Sequence, residues 1–261
     1  MKTKSYISAI LLLSLSLISC GKEEIAPLST DETGGNMNIT VSDKGFMADS
    51  RATTNSDYTV TFGQGDAIGL FIMNTSEEEG AESEKNLKLT LNEKGEWALP
   101  EETNLTSFEG KTIFAYYPYQ EDMDNKYTPD ATDAENFFAP LISGWNTSTE
   151  TETEYKYDQF DLMTGRGSMQ GKNLAISLTH QMGLVVVRPG KTSPSDLKIN
   201  GVTPYEYQDE SESVKEYRYL YNPNAAGAKE NVRITYTEGE IDKDWIMPAP
   251  QKGKCLIYSL Q

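Results

Sequence analysis

The sequence predicts an all-β protein built from two β-sandwich domains in tandem. Apolar and polar residues alternate along many short segments, which is the period of half-buried strands. Glycine, proline, asparagine and aspartate separate these segments, and no stretch sustains a helical period with capping residues. The 15 Tyr and 8 Phe among 261 residues also favour strands. Short strands separated by turn signals are typical of sandwiches, and the length suits one large or two modest domains.

The first strand is expected at "NMNITVSD", where Met37, Ile39 and Val41 share one face. The next segment, 57–74, predicts a hairpin that turns at 63–66. Further strands are expected in a hairpin at 87–99 and at 111–119, 173–189, 196–202, 217–222, 232–237 and 254–261. The polar stretches 74–86, 120–136 and 146–159 have too few apolar residues for a core and are predicted to be surface loops.

The N-terminus has the layout of a secretory signal peptide, with two lysines before an apolar run at 7–18. Residues 17–20, "LISC", resemble a bacterial lipobox, which predicts removal of residues 1–19 and lipidation of Cys20, with palmitate as an acyl chain. An ordinary signal peptide with an incidental cysteine is the alternative. Residues 21–24, "GKEE", resemble an export signal for the outer face of the outer membrane, with a solvated linker as the alternative.

The composition narrows the range of partners. Forty acidic and 23 basic residues give a formal charge of −17, which disfavours binding to a phosphate backbone, so no nucleic-acid partner is expected.

The chain has two cysteines, and since Cys20 is the predicted lipidation site, no disulfide framework is expected. Cys255 lies in an apolar segment and is predicted to be a buried strand residue.

No catalytic constellation is evident, and we expect neither an enzyme nor a bound cofactor or metal. His180 is the only histidine, and it lies in a strand segment, so we expect it to be packed and hydrogen-bonded. Gly63, Gly65 and Gly69 do not have the dinucleotide-binding spacing, and glycines around a strand turn explain them. The stretch 122–127, "DMDNKY", departs from a calcium loop at two positions, although a looser calcium site among the acidic loops stays open.

Several segments together resemble a known family. Arg51 is the only basic residue between Lys44 and Lys85, and it lies among small residues in "MADSRATTNS". The lipobox, the first strand and this arginine precede "VTFGQGDAIGLFIMN", "GKTIFAYYPY", "YDQFDLMTGRGSM" and "LAISLTHQMGLVVV". The ordered set resembles the fimbrillin-like (FimA/Mfa-like) family of type V pilus subunits from Cys20 onward. The C-terminal third matches mainly by length and strand pattern.

The resemblance implies two transthyretin-like β-sandwiches and assembly by strand exchange. It implies a lipid-anchored precursor on the outer membrane, from which an arginine-specific secreted protease cuts between Arg51 and Ala52. The removable strand would carry Met37, Ile39 and Val41, and a strand of another fimbrial subunit would take its place in the fimbrium. The implied divisions are a signal peptide at 1–19, a propeptide at 20–51, an N-terminal sandwich at 52–178 and a C-terminal sandwich at 179–261.

Two questions stay open at this point. The last segment, 254–261, could be a donor strand or the last core strand, and the short C-terminal region favours a tip or accessory subunit over a stalk subunit. A function of another class is a surface lipoprotein that binds glycans or host proteins without polymerising. Trp145 and Tyr155 in polar loops are its candidate contacts, although such aromatic residues also serve to pack loops. An adhesive ligand on a host or bacterial surface would be compatible with either function.

Overall fold

The computed structural model describes residues 37–48, 58–74, 84–101, 103, 108, 110–147, 160–191, 193–209 and 214–260. The predicted sites at Cys20, Arg51, Ala52 and Tyr155 lie outside these ranges. No helix within the ranges is long and apolar enough to cross a membrane.

The described residues form fifteen strands and two short helices. The strands are β1 (Asn38–Asp43), β2 (Met47–Ala48), β3 (Ala67–Met73), β4 (Glu84–Leu91), β5 (Trp97–Ala98), β6 (Thr112–Tyr117), β7 (Met163–Gln170), β8 (Asn173–His180), β9 (Gly183–Arg188), β10 (Ser195–Ile199), β11 (Tyr205–Asp209), β12 (Val214–Tyr221), β13 (Asn231–Glu238), β14 (Ile241–Pro248) and β15 (Lys254–Ser259). The helices are α1 (Ala134–Phe137) and α2 (Ala139–Gly144). The expectation of an all-β class is confirmed.

The first sheet has seven strands in the order β1-β8-β7-β6-β3-β4-β5. Its two edge strands, β1 and β5, approach each other, so the sheet curls around an apolar interior. Alternation places Leu174, Ile176 and Leu178 of β8 in that interior, and His180 continues the same buried row. The period-two pattern of the sequence therefore defines the inner face of this sheet.

After β8 the chain forms two further sheets. β9 belongs to a five-stranded sheet with the order β11-β12-β9-β15-β2, and a three-stranded sheet has the order β10-β13-β14. Apolar residues of the two sheets pack together, including Val185 and Val187 of β9 with Val232 and Ile234 of β13.

A third apolar cluster joins the first sheet to the five-stranded sheet. It contains Phe71 and Phe114 from the first sheet, Phe137 from α1, and Leu184 and Cys255 from the five-stranded sheet. The contacts of the chain from Asn36 to Gln261 accordingly group it into one compact unit. The division into two transthyretin-like domains stays a prediction.

The structure corrects three local expectations. β4 begins at Glu84, inside the stretch 74–86 expected to be a loop. The stretch 120–136 is not only a surface loop, because Met123 and Ala134 are buried and Asp133 caps α1 by accepting a hydrogen bond from the backbone N–H of Asn136. A helix of four residues is too short to produce a periodic signal in the sequence. Residues 59–63 are not a strand, so the hairpin expected at 57–74 is absent from the described residues.

The glycine pattern has a structural explanation. Gly65 has a positive φ of 90° in the turn before β3. At Gly69 in β3, a β-carbon would lie 2.0 Å from the ring of Tyr116, so only glycine fits beside this fully buried tyrosine. These requirements account for the two glycines without a bound ligand.

Candidate functional site: the N-terminal edge strand and its anchors

The N-terminal strand β1 lies at an edge of the seven-stranded sheet. It pairs with β8 along its whole length, from Asn38 opposite Asn173 to Asp43 opposite Leu178. The pairing is parallel, whereas the other strand pairs of this sheet are antiparallel. One hydrogen-bonded neighbour holds β1, so its removal would expose the backbone groups of β8 without breaking another described strand pair.

The side chains of β1 alternate between the sheet interior and solvent. Met37, Ile39 and Val41 are half-buried and pack against the interior cluster that includes Leu174 and Ile176. The alternation expected for this strand is confirmed, and half-burial means that each side chain contributes about 1 kcal/mol, roughly half the value for full burial. Their role as a removable strand stays a prediction.

The inward row of β1 ends in a charged contact. Asp43 follows Val41 on the inner face, and its carboxylate Oδ1 lies 2.9 Å from Nε2 of His180. The angle of this contact suits an ion pair better than a directed hydrogen bond. On the other side of the ring, Nδ1 lies 2.8 Å from Oδ2 of Asp161, and all three side chains are at most 3% exposed. The expectation that His180 is a packed, hydrogen-bonded strand residue is confirmed.

The two carboxylates determine the charge of the imidazole. Burial opposes protonation of His180, but Asp161 and Asp43 outweigh it and raise the pKa of the histidine to about 9. Burial also opposes ionisation of Asp43, yet the contact with His180 and the hydrogen bonds from two backbone N–H groups lower the pKa of that carboxyl. At neutral pH the site therefore holds an imidazolium between two carboxylates.

Asp43 also organises the chain that follows β1. Its Oδ1 accepts a hydrogen bond from the N–H of Gly45 and its Oδ2 accepts one from the N–H of Val60, both at 2.8 Å. Gly45 has a φ of 66°, and the turn brings the ring of Phe46 onto that of His180 with centroids 3.8 Å apart. The sequence pattern gave no indication of this arrangement, because the two parts of the contact lie far apart in the chain.

A second short strand ties the same segment to the five-stranded sheet. β2 pairs in parallel with β15, and the N–H of Met47 donates to the carbonyl of Gly253. Phe46 forms a backbone bridge with Tyr58, so the chain on either side of residues 49–57 is held together. We call residues 37–48 the N-terminal segment, and it contacts both large sheets.

The chain after residue 57 is anchored independently. Tyr58 is buried, and its hydroxyl donates to Oε1 of Glu216, 3.1 Å away. Glu216 also accepts hydrogen bonds from Arg188 and Arg218, so a buried carboxylate between two guanidinium groups holds this tyrosine. These contacts fix the start of the remaining chain to β9 and β12.

The last strand is part of a sheet interior. β15 lies between β9 and β2 and is parallel to both. Cys255 on this strand is fully buried as expected, and burial raises the pKa of its thiol to about 12. β15 therefore serves as a core strand in this structure.

The candidate ligand contact Trp145 is half-buried. Its indole N–H donates to the carbonyl of Phe160 at 2.7 Å, and the ring packs against the third apolar cluster. Trp145 thus has a packing role in the structure. Among the described residues, no group of three or more His, Cys, Asp or Glu side chains could hold a metal ion.

Comparison with known proteins places the chain in a family. The fimbrillin-like family model matches residues 50–211, more than half of the chain. The chain belongs to the fimbrillin-like family. The match begins beside Arg51 and leaves the N-terminal segment outside it.

This fimbrillin-like protein is also similar to longer fimbrial proteins. It is 31% identical over 268 residues to Fim1C, assigned as a fimbrium tip subunit of Bacteroides ovatus, with 96% of this chain and 46% of that protein covered. A fimbrial protein of the same organism, known from its crystal structure, matches with a TM-score of 0.65 at 24% identity. The match covers 86% of this chain and 48% of that chain. The fimbrillin-like chain thus spans about half the length of these relatives.

Proposed function

We propose that this protein is a structural subunit of a surface fimbrium, matured by cleavage after Arg51 and assembled by strand exchange. The precursor would be a lipoprotein anchored through Cys20 in the outer membrane, as the N-terminal sequence predicts. Membership of the fimbrillin-like family supports the fimbrial role and a location at the cell surface. The family also supports a non-enzymatic function.

The single observation that carries the proposal is the position of the N-terminal segment. β1 is an edge strand whose inward side chains cover the interior of the first sheet, and the segment ends three residues before Arg51. Cleavage after Arg51 would sever the covalent link between this strand and the remaining chain. The edge of β8 and the edge of β15 could then receive another strand by β-augmentation.

The free energies of the contacts that hold the N-terminal segment suit an exchange of strands. Each backbone hydrogen bond recovered at the edge contributes on the order of 1 kcal/mol net, and the half-buried side chains add about as much each. A segment that is held by these contacts blocks the edge until it is replaced. Cleavage alone would therefore make the segment exchangeable without forcing its departure.

Limited digestion of the full chain with trypsin, followed by N-terminal sequencing, tests the maturation step. We expect a discrete early product that begins at Ala52 while the body of the chain stays intact. Arg51→Ala should abolish this product. Arg51→Lys is the matched control: trypsin should still cut this variant after residue 51, whereas an arginine-specific protease should leave it uncut.

The digestion has informative alternative outcomes. Early cleavage at many positions, or an Arg51 that trypsin leaves uncut, would contradict the maturation model. A clean cut that yields a product unable to accept a strand peptide would favour the non-polymerising lipoprotein that binds glycans or host proteins.

A tip or accessory position is the form of the proposal that the comparisons favour, because Fim1C is assigned to the tip of a fimbrium. The pairing of β15 with β9 agrees with this form, since a strand that is hydrogen-bonded within its own sheet from Cys255 to Ser259 is not available for donation. Other fimbrial subunits would be the partners, and electron microscopy of labelled fimbriae would locate the protein at a tip or along a shaft.

A further inference from the structure

The edge of β8 ends in a site that is suited to one particular side chain. Met37, just before β1, and Ile39 and Val41 of β1 contact apolar side chains, but the next inward residue, Asp43, reaches the buried end of β8. We call the space that its carboxylate occupies the carboxylate site. Its walls include His180 and Val60, which both follow residue 51 and would stay with the body after cleavage.

The carboxylate site presents an ion-pair partner to one carboxylate oxygen and a backbone N–H donor to the other. Nε2 of His180 lies 2.9 Å from Oδ1, and the backbone N–H of Val60 lies 2.8 Å from Oδ2. Asp161 binds the opposite ring nitrogen, which supports the doubly protonated imidazole that can present a proton at Nε2. The carboxylate site is closed to solvent, since the Asp43 side chain is 3% exposed.

We propose that this edge selects an incoming strand that presents three alternate apolar side chains followed by a carboxylate at the position of Asp43. This inference rests on the proposed function, because it specifies the partner segment. An apolar residue there would leave the buried N–H of Val60 without an acceptor and the imidazolium without its ion-pair partner at Nε2, and an amide supplies one acceptor oxygen without the negative charge. A lysine or arginine would place a second cation beside the imidazolium.

The residues after the carboxylate add a second requirement. Asp43 also accepts from the N–H of Gly45, whose positive φ makes the turn that stacks Phe46 on His180. The pattern that satisfies the whole site is therefore apolar-x-apolar-x-apolar-x-Asp-x-Gly-aromatic. The N-terminal segment supplies this pattern from Met37 to Phe46, and we expect the strand that replaces it to share the aspartate above all.

Competition on the full chain tests the selection. The protein is cut after Arg51 with an arginine-specific protease, and labelled peptides with the sequence of residues 37–48 compete with the resident segment. Relative to the unchanged peptide, we expect about tenfold weaker binding for Asp43→Asn and roughly thirtyfold or more for Asp43→Ala. All changes lie in the peptide, so the fold of the body is not altered.

A peptide with exchanged charges is the matched control. Asn38→Asp combined with Asp43→Asn keeps the composition and net charge but moves the carboxylate to an exposed outward position. We expect it to bind as weakly as Asp43→Asn alone. Equal binding of the aspartate, asparagine and alanine peptides, or full recovery by the exchanged peptide, overturns the selection while leaving strand acceptance intact. Failure of the unchanged peptide to exchange at all contradicts the proposed function as well.

The single histidine gives a second measurement that a loss of packing would not change. Its imidazole proton resonances, followed by NMR as a function of pH, report the charge next to Nε2. With the unchanged peptide bound we expect the high pKa of His180, and with the Asp43→Asn peptide bound we expect a lower one. An imidazole pKa that is the same with both peptides would show that the carboxylate does not act through His180 and would overturn the assignment.

Discussion

At the scale of single residues, the contact between His180 and Asp43 is the feature that distinguishes this edge strand from an ordinary one. The imidazole is charged because Asp161 and Asp43 lie against its two nitrogens, and burial makes that charge dependent on both partners. The charged groups that face the ring come from β1 and from the chain before β7, and Phe46 covers one face of the ring. Stability should therefore depend on pH through this site.

We expect stability to fall as the pH rises from about 6.5 through about 9. The pKa of His180 is higher in the folded chain than its ordinary value of 6.5, so its contribution is complete below pH 6.5 and is lost through the folded pKa of about 9. The total is on the order of 3 kcal/mol. The lowered pKa of Asp43 works in the other direction, since its contribution is present above 3.8 and is lost as the pH falls through the lowered value.

Urea unfolding at a series of pH values measures this dependence. His180→Gln is the control variant, because it removes the titrating group and should flatten the curve between pH 6.5 and 9. The prediction is wrong if the variant and the unchanged protein lose stability in parallel over that range.

Gly69 provides a residue-scale test of packing. Gly69→Ala places a β-carbon 2.0 Å from the ring of Tyr116, whose hydroxyl donates to Asn86 and so resists displacement. We expect a loss of about 2 kcal/mol or more in the free energy of unfolding, measured with urea. Gly63→Ala is the matched control, since a β-carbon there meets no atom within 4 Å, and a similar loss in both variants would contradict the explanation.

At the scale of elements, β1 combines the properties of a strand that stabilises the sheet and of one that can leave it. It lies at an edge, its pairing is parallel, and its inward side chains are only half-buried. The short pairing of β2 with β15 adds a second attachment in a different sheet. After a cut in residues 49–57, release of the segment would require both attachments to open.

Substitutions on the two faces of β1 should have different effects on that release. Val41→Ala removes inward packing and should speed dissociation of the cut segment about fivefold, which corresponds to roughly 1 kcal/mol. Thr40→Ala lies on the exposed face and should change the rate much less. Size-exclusion chromatography of the cut protein over time measures the rate, and equal acceleration by both variants would indicate that inward packing does not hold the strand.

At the scale of the whole molecule, the N-terminal segment connects the two large sheets. β1 completes the interior of the first sheet, and β2 covers the edge of β15 in the other. Loss of the segment should lower the stability of the whole compact unit, because the third apolar cluster, which includes Phe46, joins both sheets. The excess of acidic over basic residues after residue 51 favours solubility of the opened form through mutual repulsion.

A peptide of residues 37–48 should restore the stability of the opened protein. A ligand that binds only the folded form raises stability with its concentration, by about 2.7 kcal/mol at one hundred times its Kd. We expect the melting temperature of the protein freed of its segment to rise with added peptide, as followed by calorimetry. A peptide with the same composition in scrambled order is the control, and a rise of the same size with it would show that the effect is not specific to the groove.

The sequence by itself determined the strand class, the inner face of β1 and the burial of His180 and Cys255, because alternation and apolar character are local properties of the chain. It did not predict α1 and α2, since helices of four and six residues are too short for a periodic signal. The pairing of β1 with β8 joins Asn38 to a residue 135 positions away, and the contacts of β2 with β15 and of Asp43 with His180 are similarly distant. Only the tertiary structure decided these contacts, because they depend on the order of strands in each sheet and on which edges meet, and local periodicity carries neither.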